Sequence, residues 1–251
     1  MIIKQYRFAD VAFRIISPSS MIADPRFEAF ADAVTAEADY IFEIFSPEPG
    51  KEPTDAEPIV LERSGNLLKA YMDTSLLPKI TVAQFLSGVK ADKLLPEKNL
   101  VMLHCSYVLH EGKALLFCAP SGTGKSTQAA FWHQVRRSDT INEDRAIIGK
   151  SHGQYYAHGC WAMGHGDVCR NVSAPVRAII LLGQETENHV YRLRAVEAMK
   201  RIIPQCGFDD RSNKQRQKII EIVADMISCI PVFGYDCVND ESSVEELEKY
   251  L

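Results

Sequence analysis

The sequence has no long apolar run, no closely paired cysteines and no large excess of charge of one sign. A membrane-spanning helix needs about 20 consecutive, mostly apolar residues, and no stretch approaches that length. With 28 basic and 33 acidic residues the net charge is −5, which gives no bulk electrostatic attraction to nucleic acid or to anionic membranes. We therefore expect neither a nucleic-acid partner nor a membrane partner.

Cysteines are present, but their arrangement argues against two common uses. The seven residues are widely spread, and none forms a Cys-x-x-Cys pair, so a disulfide framework and a zinc site are both disfavoured. Several lie within apolar runs, where a free cysteine serves as a small core residue. The first residues also lack the apolar segment of a secretion signal. We therefore expect a protein of the reducing cytoplasm.

The composition changes once along the chain, and the change divides it into residues 1–98 and 99–251. The first region is rich in strand-forming residues, with β-branched and aromatic side chains at 11–16 and 39–45. A Ser-Gly-Asn turn at 64–66 lies between two further apolar runs and predicts a β-hairpin. Nothing in this region points to catalysis, and we predict a smaller, strand-rich N-terminal region.

The second region alternates predicted strands with predicted helices. The continuous apolar runs at 114–118 and 176–182 are typical of strands that are buried on both faces. Residues 195–203 and 213–230 have helical spacing of their apolar residues. A last helix is predicted from Ser242, which forms a capping-box pattern with Glu245. The pattern predicts an α/β domain.

A glycine-rich segment between the run at 114–118 and the helix that follows it predicts a phosphate-binding loop. The pattern consists of a small residue, four spacers and then Gly-Lys-Ser/Thr, with alanine in the first position in place of the more common glycine. The setting of strand, glycine-rich turn and helix is the one that the motif needs. The residues assigned to nucleotide binding are Ala119, Pro120, Ser121, Gly122, Thr123, Gly124, Lys125, Ser126 and Thr127.

Each residue type in this loop has a physical role in binding a nucleotide. Gly122 and Gly124 allow the backbone to bend, so that successive N–H groups can point into one concavity. Lys125 brings a compact positive charge to the β and γ phosphates. Ser126 offers a hydroxyl to Mg²⁺, and the helix directs the positive end of its dipole at the phosphates. The sequence therefore predicts a nucleotide bound with Mg²⁺, and ATP is the default nucleotide because no guanine-reading motif is present.

Two carboxylates follow the predicted helix after the loop. P-loop motors and transporters carry an acid at the end of a strongly apolar strand, but the run at 176–182 ends in Gly-Gln-Glu, without an aspartate. The acids come sooner here, at Glu143 and Asp144. Such a pair could hold Mg²⁺ and accept the proton of an attacking hydroxyl. The alternative interpretation is a solvated acidic loop.

The order of these features resembles that of the bacterial HPr serine kinase/phosphorylase family. The resemblance rests on His104, the hairpin after it, the loop at 120–127 and the acids at 142–145. It extends over residues 100–251 and is specific between 104 and 145. The chain is most similar to the short HPr-kinase-like proteins, whose fold relatives are the ATP-dependent phosphoenolpyruvate carboxykinases.

The resemblance implies a P-loop domain of the HPr kinase/phosphoenolpyruvate carboxykinase type and an ATP-dependent phosphotransferase. By position, Asp144 would be the general base, Glu143 an acid on the metal side with Ser126, and His104 a support near the phosphates. Lys125 completes the catalytic set. The family usually has two aspartates where this chain has Glu143 and Asp144. Residues 159–167 occupy the place of a glycine-rich segment that follows the acids in HPr kinases.

Several alternatives stay open. The acceptor would be a hydroxyl, such as a serine of a protein, a peptide or a small molecule, and the sequence does not identify it. HPr kinases assemble as hexamers, but residues 1–98 give no ground for carrying that over, so a homo-oligomer is allowed without being indicated. A non-catalytic nucleotide-binding regulator is the second functional hypothesis. A carboxykinase is the third and comes last, because this chain is much shorter than members of that family.

Overall fold

Two β-sheets organise the chain, one of five strands and one of eight. The computed structural model describes residues 1–34, 37–162, 168–207 and 212–251. The chain divides into two compact units, Met1–Asp92 with the smaller sheet and Lys93–Leu251 with the larger one. Together with their helices, the two sheets make this a mixed α/β protein. Within the described residues, no helix combines the length and the apolar character needed to cross a membrane.

The first unit is built on a sheet with strand order β1-β2-β3-β5-β4. Its elements are β1 (Ile2–Phe8), β2 (Val11–Ser17), α1 (Pro25–Glu28), β3 (Tyr40–Phe45), β4 (Val60–Ser64), β5 (Leu67–Tyr71) and α2 (Val82–Gly88). The outer pairs are antiparallel, whereas β3 is parallel to both of its neighbours. β4 and β5 form the predicted hairpin, whose turn has Gly65 at a φ of 63°. The residues at 46–57, rich in proline and polar side chains, form no helix or strand.

Aromatic side chains fill the core of the first unit. Phe13 is fully buried and stacks on Phe42 with a distance of 6.3 Å between ring centroids. Phe42 in turn meets Phe85 of α2 edge to face, at 5.7 Å. This helix begins at a capping box in which Gln84 and Thr81 each satisfy the backbone N–H of the other. The ring contacts attach α2 to one face of the sheet.

In its described residues, the second unit contains the larger sheet and four helices of seven residues or more. Its elements are β6 (Leu100–His110), β7 (Lys113–Cys118), α3 (Lys125–Arg136), β8 (Asp139–Asn142), β9 (Arg145–Ser151), β10 (Gln154–His158), β11 (Ser173–Gln184), β12 (His189–Arg192), α4 (Ala195–Ile202), α5 (Asn213–Cys229), β13 (Val232–Cys237) and α6 (Ser242–Glu248). The strand order is β10-β9-β6-β7-β11-β13-β12, with β8 paired to β6.

Strand direction brings several strand ends to one edge of this sheet. β7, β11 and β13 are parallel to one another. β6 is antiparallel both to β7 and to β8, so β8 runs in the same direction as β7. The carboxyl ends of β7, β8, β11 and β13 therefore lie along one edge, where ligands bind in open α/β sheets.

Helices cover both faces of the sheet because β7 is apolar on both faces. Leu115 and Phe117 share a buried cluster with Trp132 of α3 and with residues of α6. The alternate residues of β7 share a second cluster with Val223 and Met226 of α5. This alternation explains the continuous apolar run, and it fixes the end of β7 between two packed layers.

The predicted capping box at the start of α6 is wrong. The helix begins at Ser242, but its N-cap residue is Glu241, and no side chain caps it. The Ser242 hydroxyl and backbone N–H both donate to Asp240 Oδ1. This carboxylate lies two residues before Ser242 and accepts a hydrogen bond from the serine hydroxyl. In a capping box, that hydroxyl would instead accept a hydrogen bond from a backbone N–H in the first turn of the helix.

Candidate functional site

The segment at residues 119–124, here called the glycine loop, connects β7 to α3. Gly122 and Gly124 have φ angles of 81° and 104°, which residues with a Cβ rarely adopt. Helix α3 begins directly after the loop, with the N–H of Gln128 donating to the Gly124 carbonyl at 2.9 Å. The free N–H groups of the first turn therefore open toward the loop.

Lys125 is buried against this loop, with 7% of its surface exposed. Its Nζ donates to the carbonyl oxygens of Ala119 at 2.9 Å and of Pro120 at 3.3 Å. Burial lowers the pKa of Lys125, and the negative charge of Asp144 opposes that shift. The ammonium group is thus placed among the oxygens of the loop and lies within the electrostatic range of Asp144.

The hydroxyl-bearing residues of the motif lie at different depths. Ser126 is exposed in the first turn of α3, and Ser121 is exposed in the loop. Thr123 and Thr127 are half-buried. The Ser126 hydroxyl is therefore open to a ligand on the solvent side of the glycine loop.

The two predicted acids follow β8 and are held against β6. The N–H of Cys105 donates to the Asp144 carbonyl at 3.0 Å, and the hydroxyl of Ser106 donates to the Glu143 carbonyl at 2.7 Å. Cys105 is also the cross-strand partner of Cys118, the last residue of β7. The backbone contacts therefore bring the acids to the strand next to the one that enters the glycine loop.

Asn142 is the buried residue that shapes the acidic turn. Its Oδ1 accepts from the N–H groups of Asp144 and Arg145, both at 3.0 Å, and its Nδ2 donates to the Ala162 carbonyl at 2.9 Å. Asn142 is fully buried, so these bonds satisfy polar groups that have no access to bulk solvent. The sequence analysis gave this residue no role of its own.

Asp144 and His104 contact each other directly. His104 Nε2 lies 3.3 Å from Asp144 Oδ1, and the Nε of Arg145 lies 3.3 Å from Asp144 Oδ2. The hydrogen bond from His104 is the largest cause that lowers the pKa of Asp144, while burial opposes it and Arg145 adds to it. The carboxylate is therefore ionised at neutral pH. Of the predicted catalytic residues, His104 and Asp144 are therefore in contact. Lys125 interacts with Asp144 through the attraction between their opposite charges.

The donors at the predicted metal site are the carboxylate of Glu143 and the hydroxyl of Ser126. Within the described residues, no three His, Cys, Asp or Glu side chains gather into a group that could hold a metal ion. Mg²⁺ does not require such a cage, because it commonly binds one or two carboxylates together with waters and substrate phosphates. Glu143 is half-buried beside Asp144, and Ser126 is exposed. Oxygen donors of these kinds fit a magnesium ion that arrives with a nucleotide.

Two further residues at this site were missed by the sequence analysis. Gln184, at the carboxyl end of β11, donates from Nε2 to the Thr123 carbonyl at 3.3 Å. It therefore contacts the glycine loop from the strand end where P-loop motors and transporters carry an acid. Gln205 places its Oε1 3.1 Å from His104 Nδ1. The sequence offers no signal for Gln205, because it follows His104 by 101 positions and belongs to no motif.

Residues 163–167, which form most of the segment that stands in place of the kinase glycine-rich region, lie outside the described residues. Of this segment, Cys160 and Trp161 are buried. The carbonyl of Cys160 accepts from Asn142 Nδ2 at 3.3 Å. The described part of the segment therefore packs beneath the acidic turn.

Comparisons with known proteins give similarity to solved structures only, and it is distant. No protein-family model matches the sequence, and no curated protein matches it. A solved structure, the HPr(Ser) kinase/phosphatase from Coxiella burnetii, aligns with 59% of this chain and with 97% of its own chain. The sequence identity is 10% and the TM-score is 0.35. This likeness is too distant to indicate what the chain does, which has to be argued from its own residues.

Proposed function

We propose that the protein is an ATP-dependent phosphotransferase of the HPr-kinase-like type. It binds ATP with Mg²⁺ on residues 119–127 and transfers the γ-phosphate to a hydroxyl group. The observation that carries the proposal is the position of Lys125, buried inside the glycine loop and electrostatically coupled to Asp144. Transfer of a phosphoryl group to a hydroxyl uses a cation beside the phosphates and a group that accepts the proton of the hydroxyl.

The phosphates occupy the concavity formed by the glycine loop and the first turn of α3. Lys125 exchanges its carbonyl partners, Ala119 and Pro120, for phosphate oxygens, because a charge-assisted bond to an anion is stronger than one to a neutral carbonyl. The free N–H groups of α3 add the positive end of the helix dipole. Gln184 keeps the Thr123 carbonyl turned toward its own amide.

Asp144 is the general base. Its pKa is held low, chiefly by the hydrogen bond from His104, so the carboxylate is unprotonated when the hydroxyl attacks. His104 orients this carboxylate from the neighbouring strand β6. Glu143 and Ser126 would hold Mg²⁺, which when bound neutralises charge on the phosphate oxygens. Most of the rate enhancement comes from positioning and charge.

The acceptor that we propose is a serine hydroxyl of a protein, a peptide or a small molecule in the cytoplasm. This choice follows the resemblance of His104, the glycine loop and the acids to the HPr serine kinases. The fold proposed for residues 99–251 is accordingly a P-loop domain of the HPr kinase/phosphoenolpyruvate carboxykinase type, with residues 1–98 as a separate N-terminal region.

One observation favours a second function, a nucleotide-binding regulator without transferase activity. Asp144 contacts both His104 and Arg145, and partners that lower the pKa of a carboxylate make it a weaker proton acceptor. In a regulator the loop still binds the nucleotide, but no phosphate is passed on.

A transfer assay separates the two functions. ATP labelled in the γ-phosphate is incubated with Mg²⁺, the protein and a panel of acceptors that includes free serine, HPr-like proteins and serine peptides. We expect label to appear in one acceptor class, and to be lost with Lys125→Ala and with Asp144→Asn. Nucleotide binding by calorimetry without transfer to any acceptor would support the regulator, and the absence of binding would refute both functions.

A further inference from the structure

We infer that Gln205 is a positioning residue that holds the ring of His104 against Asp144. The inference rests on the proposed function only for its effect on turnover, because the contact itself can be measured in the free protein. Gln205 Oε1 lies 3.1 Å from His104 Nδ1, while the other ring nitrogen, Nε2, lies 3.3 Å from Asp144 Oδ1. The ring is thus held at both nitrogens.

The backbone around Gln205 is fixed relative to β6. Cys206 forms an isolated antiparallel bridge with Leu103, and in such a pair the residues before and after the bridge lie opposite each other. Gln205 therefore faces His104. Ile202 and Cys206 are buried, and the Cys206 N–H donates to the Ile203 carbonyl at 3.0 Å. The carboxamide therefore extends from a backbone that is held between two buried residues, Ile202 and Cys206.

The chemistry of the contact explains its effect on His104. The carboxamide faces Nδ1 and the carboxylate faces Nε2, and a carboxylate accepts a hydrogen bond only from a ring nitrogen that carries a proton. The carboxamide fixes the rotation of the ring, and the Nε2–H is then directed at Asp144. Outer partners of this kind set the orientation and the tautomer of a functional histidine. Without Gln205, His104 can rotate about its side-chain bonds and meet Asp144 only part of the time.

The test compares Gln205→Leu, which removes the acceptor at similar size, with Gln205→Glu, which keeps an acceptor oxygen. Gln217→Leu is the matched control, because Gln217 is an exposed glutamine whose amide donates to the nearby Glu221. The first measurement is the ¹H–¹⁵N NMR signal of the His104 ring in the free protein, identified by its absence in His104→Gln. We expect the ring N–H signal to be broadened or lost in Gln205→Leu and retained in Gln205→Glu and Gln217→Leu.

The second measurement is turnover with the acceptor found by the transfer assay. We expect Gln205→Leu to lower kcat by about 10- to 100-fold, the usual effect of losing an outer-shell partner, with the KM for ATP unchanged and with partial recovery in Gln205→Glu. An unchanged ring signal in Gln205→Leu would overturn the inference. So would equal losses of kcat and thermal stability in both Gln205 variants, which indicate a structural role. If wild type transfers no phosphate while the ring signal responds as expected, the proposed function fails and the contact stands.

Discussion

His104 Nε2 lies 3.3 Å from Asp144 Oδ1, although the two residues belong to different elements. His104 is on β6, whereas Asp144 follows β8, a strand that reaches the sheet by pairing with β6. The Asp144 carbonyl also accepts from the N–H of Cys105. Backbone pairing therefore brings the carboxylate to the histidine, and the side-chain contact then lowers the pKa of Asp144.

The first prediction concerns the cation of the glycine loop. Lys125→Ala should weaken MgATP binding by at least about tenfold, equivalent to about 1.4 kcal/mol. The substitution removes the ammonium group that binds the phosphate oxygens. Calorimetric titration with MgATP measures this. Lys113→Ala is the control, since Lys113 is an exposed lysine at the start of the same strand, β7. Equal affinities in Lys125→Ala and the control would mean that the loop is not the nucleotide site.

The second prediction tests the general base. Asp144→Asn should bind MgATP nearly as well as wild type but lose transfer by about two to four powers of ten, the usual effect of a positioned base. Asp139→Asn, at the other end of β8, changes an exposed aspartate and should keep activity. Calorimetry and the transfer assay measure the two properties separately. If Asp144→Asn retains full transfer, the base must be sought elsewhere.

Strong local patterns predicted part of the fold. The apolar run that enters the glycine loop, the loop itself and the helix after it all lie where the sequence predicts them. These elements are specified by residues close together in the chain, so periodicity and turn chemistry suffice. The hairpin at 64–66 is predictable for the same reason.

The rest depended on pairing between distant segments. β1 and the β9–β10 hairpin were missed, because polar residues interrupt their apolar patterns and only partner strands complete them. At the candidate site, the Asn142 turn and the contact between Gln205 and His104 join segments that no motif spacing connects. Helix α6 begins at Ser242 as predicted, but its capping box failed for another reason, since Asp240 accepts the hydrogen bond of the Ser242 hydroxyl.

The third prediction is a pH dependence of stability. The pKa of Asp144 is lowered in the folded protein, chiefly by His104. Its contribution to the free energy of unfolding is therefore fully present above the ordinary aspartate pKa of about 3.9, and it is lost as the pH falls through the lower folded value. Urea unfolding should show wild type more stable than Asp144→Asn near neutral pH, with the difference shrinking below about pH 4. A difference that is the same at both pH values would contradict this assignment.

The fourth prediction concerns thiol reactivity. Cys229 is exposed, whereas the other six cysteines are buried. Burial raises the pKa of Cys206 to about 12 and that of Cys237 to about 11, which suppresses the reactive thiolate. An aromatic disulfide reagent should therefore modify a single thiol rapidly in the native protein and all seven after unfolding. The fast phase should disappear in Cys229→Ser, and its persistence would show that a buried thiol becomes accessible.

The last prediction concerns Glu143, the glutamate where the resembling kinases carry an aspartate. Mg²⁺ demands near-ideal octahedral geometry at short distances and retains several waters, so a carboxylate on a longer side chain must bind it through water or displace it. Mn²⁺ also suits oxygen ligands. We therefore expect Glu143→Asp to preserve or raise turnover with Mg²⁺, and Glu143→Gln to lower turnover by weakening metal binding while ATP affinity changes little. Activity is titrated with Mg²⁺ and with Mn²⁺ in wild type and both variants. Three superimposable metal curves would show that Glu143 does not bind the metal, because a solvated side chain that contacts no metal cannot alter the dependence of the rate on metal concentration.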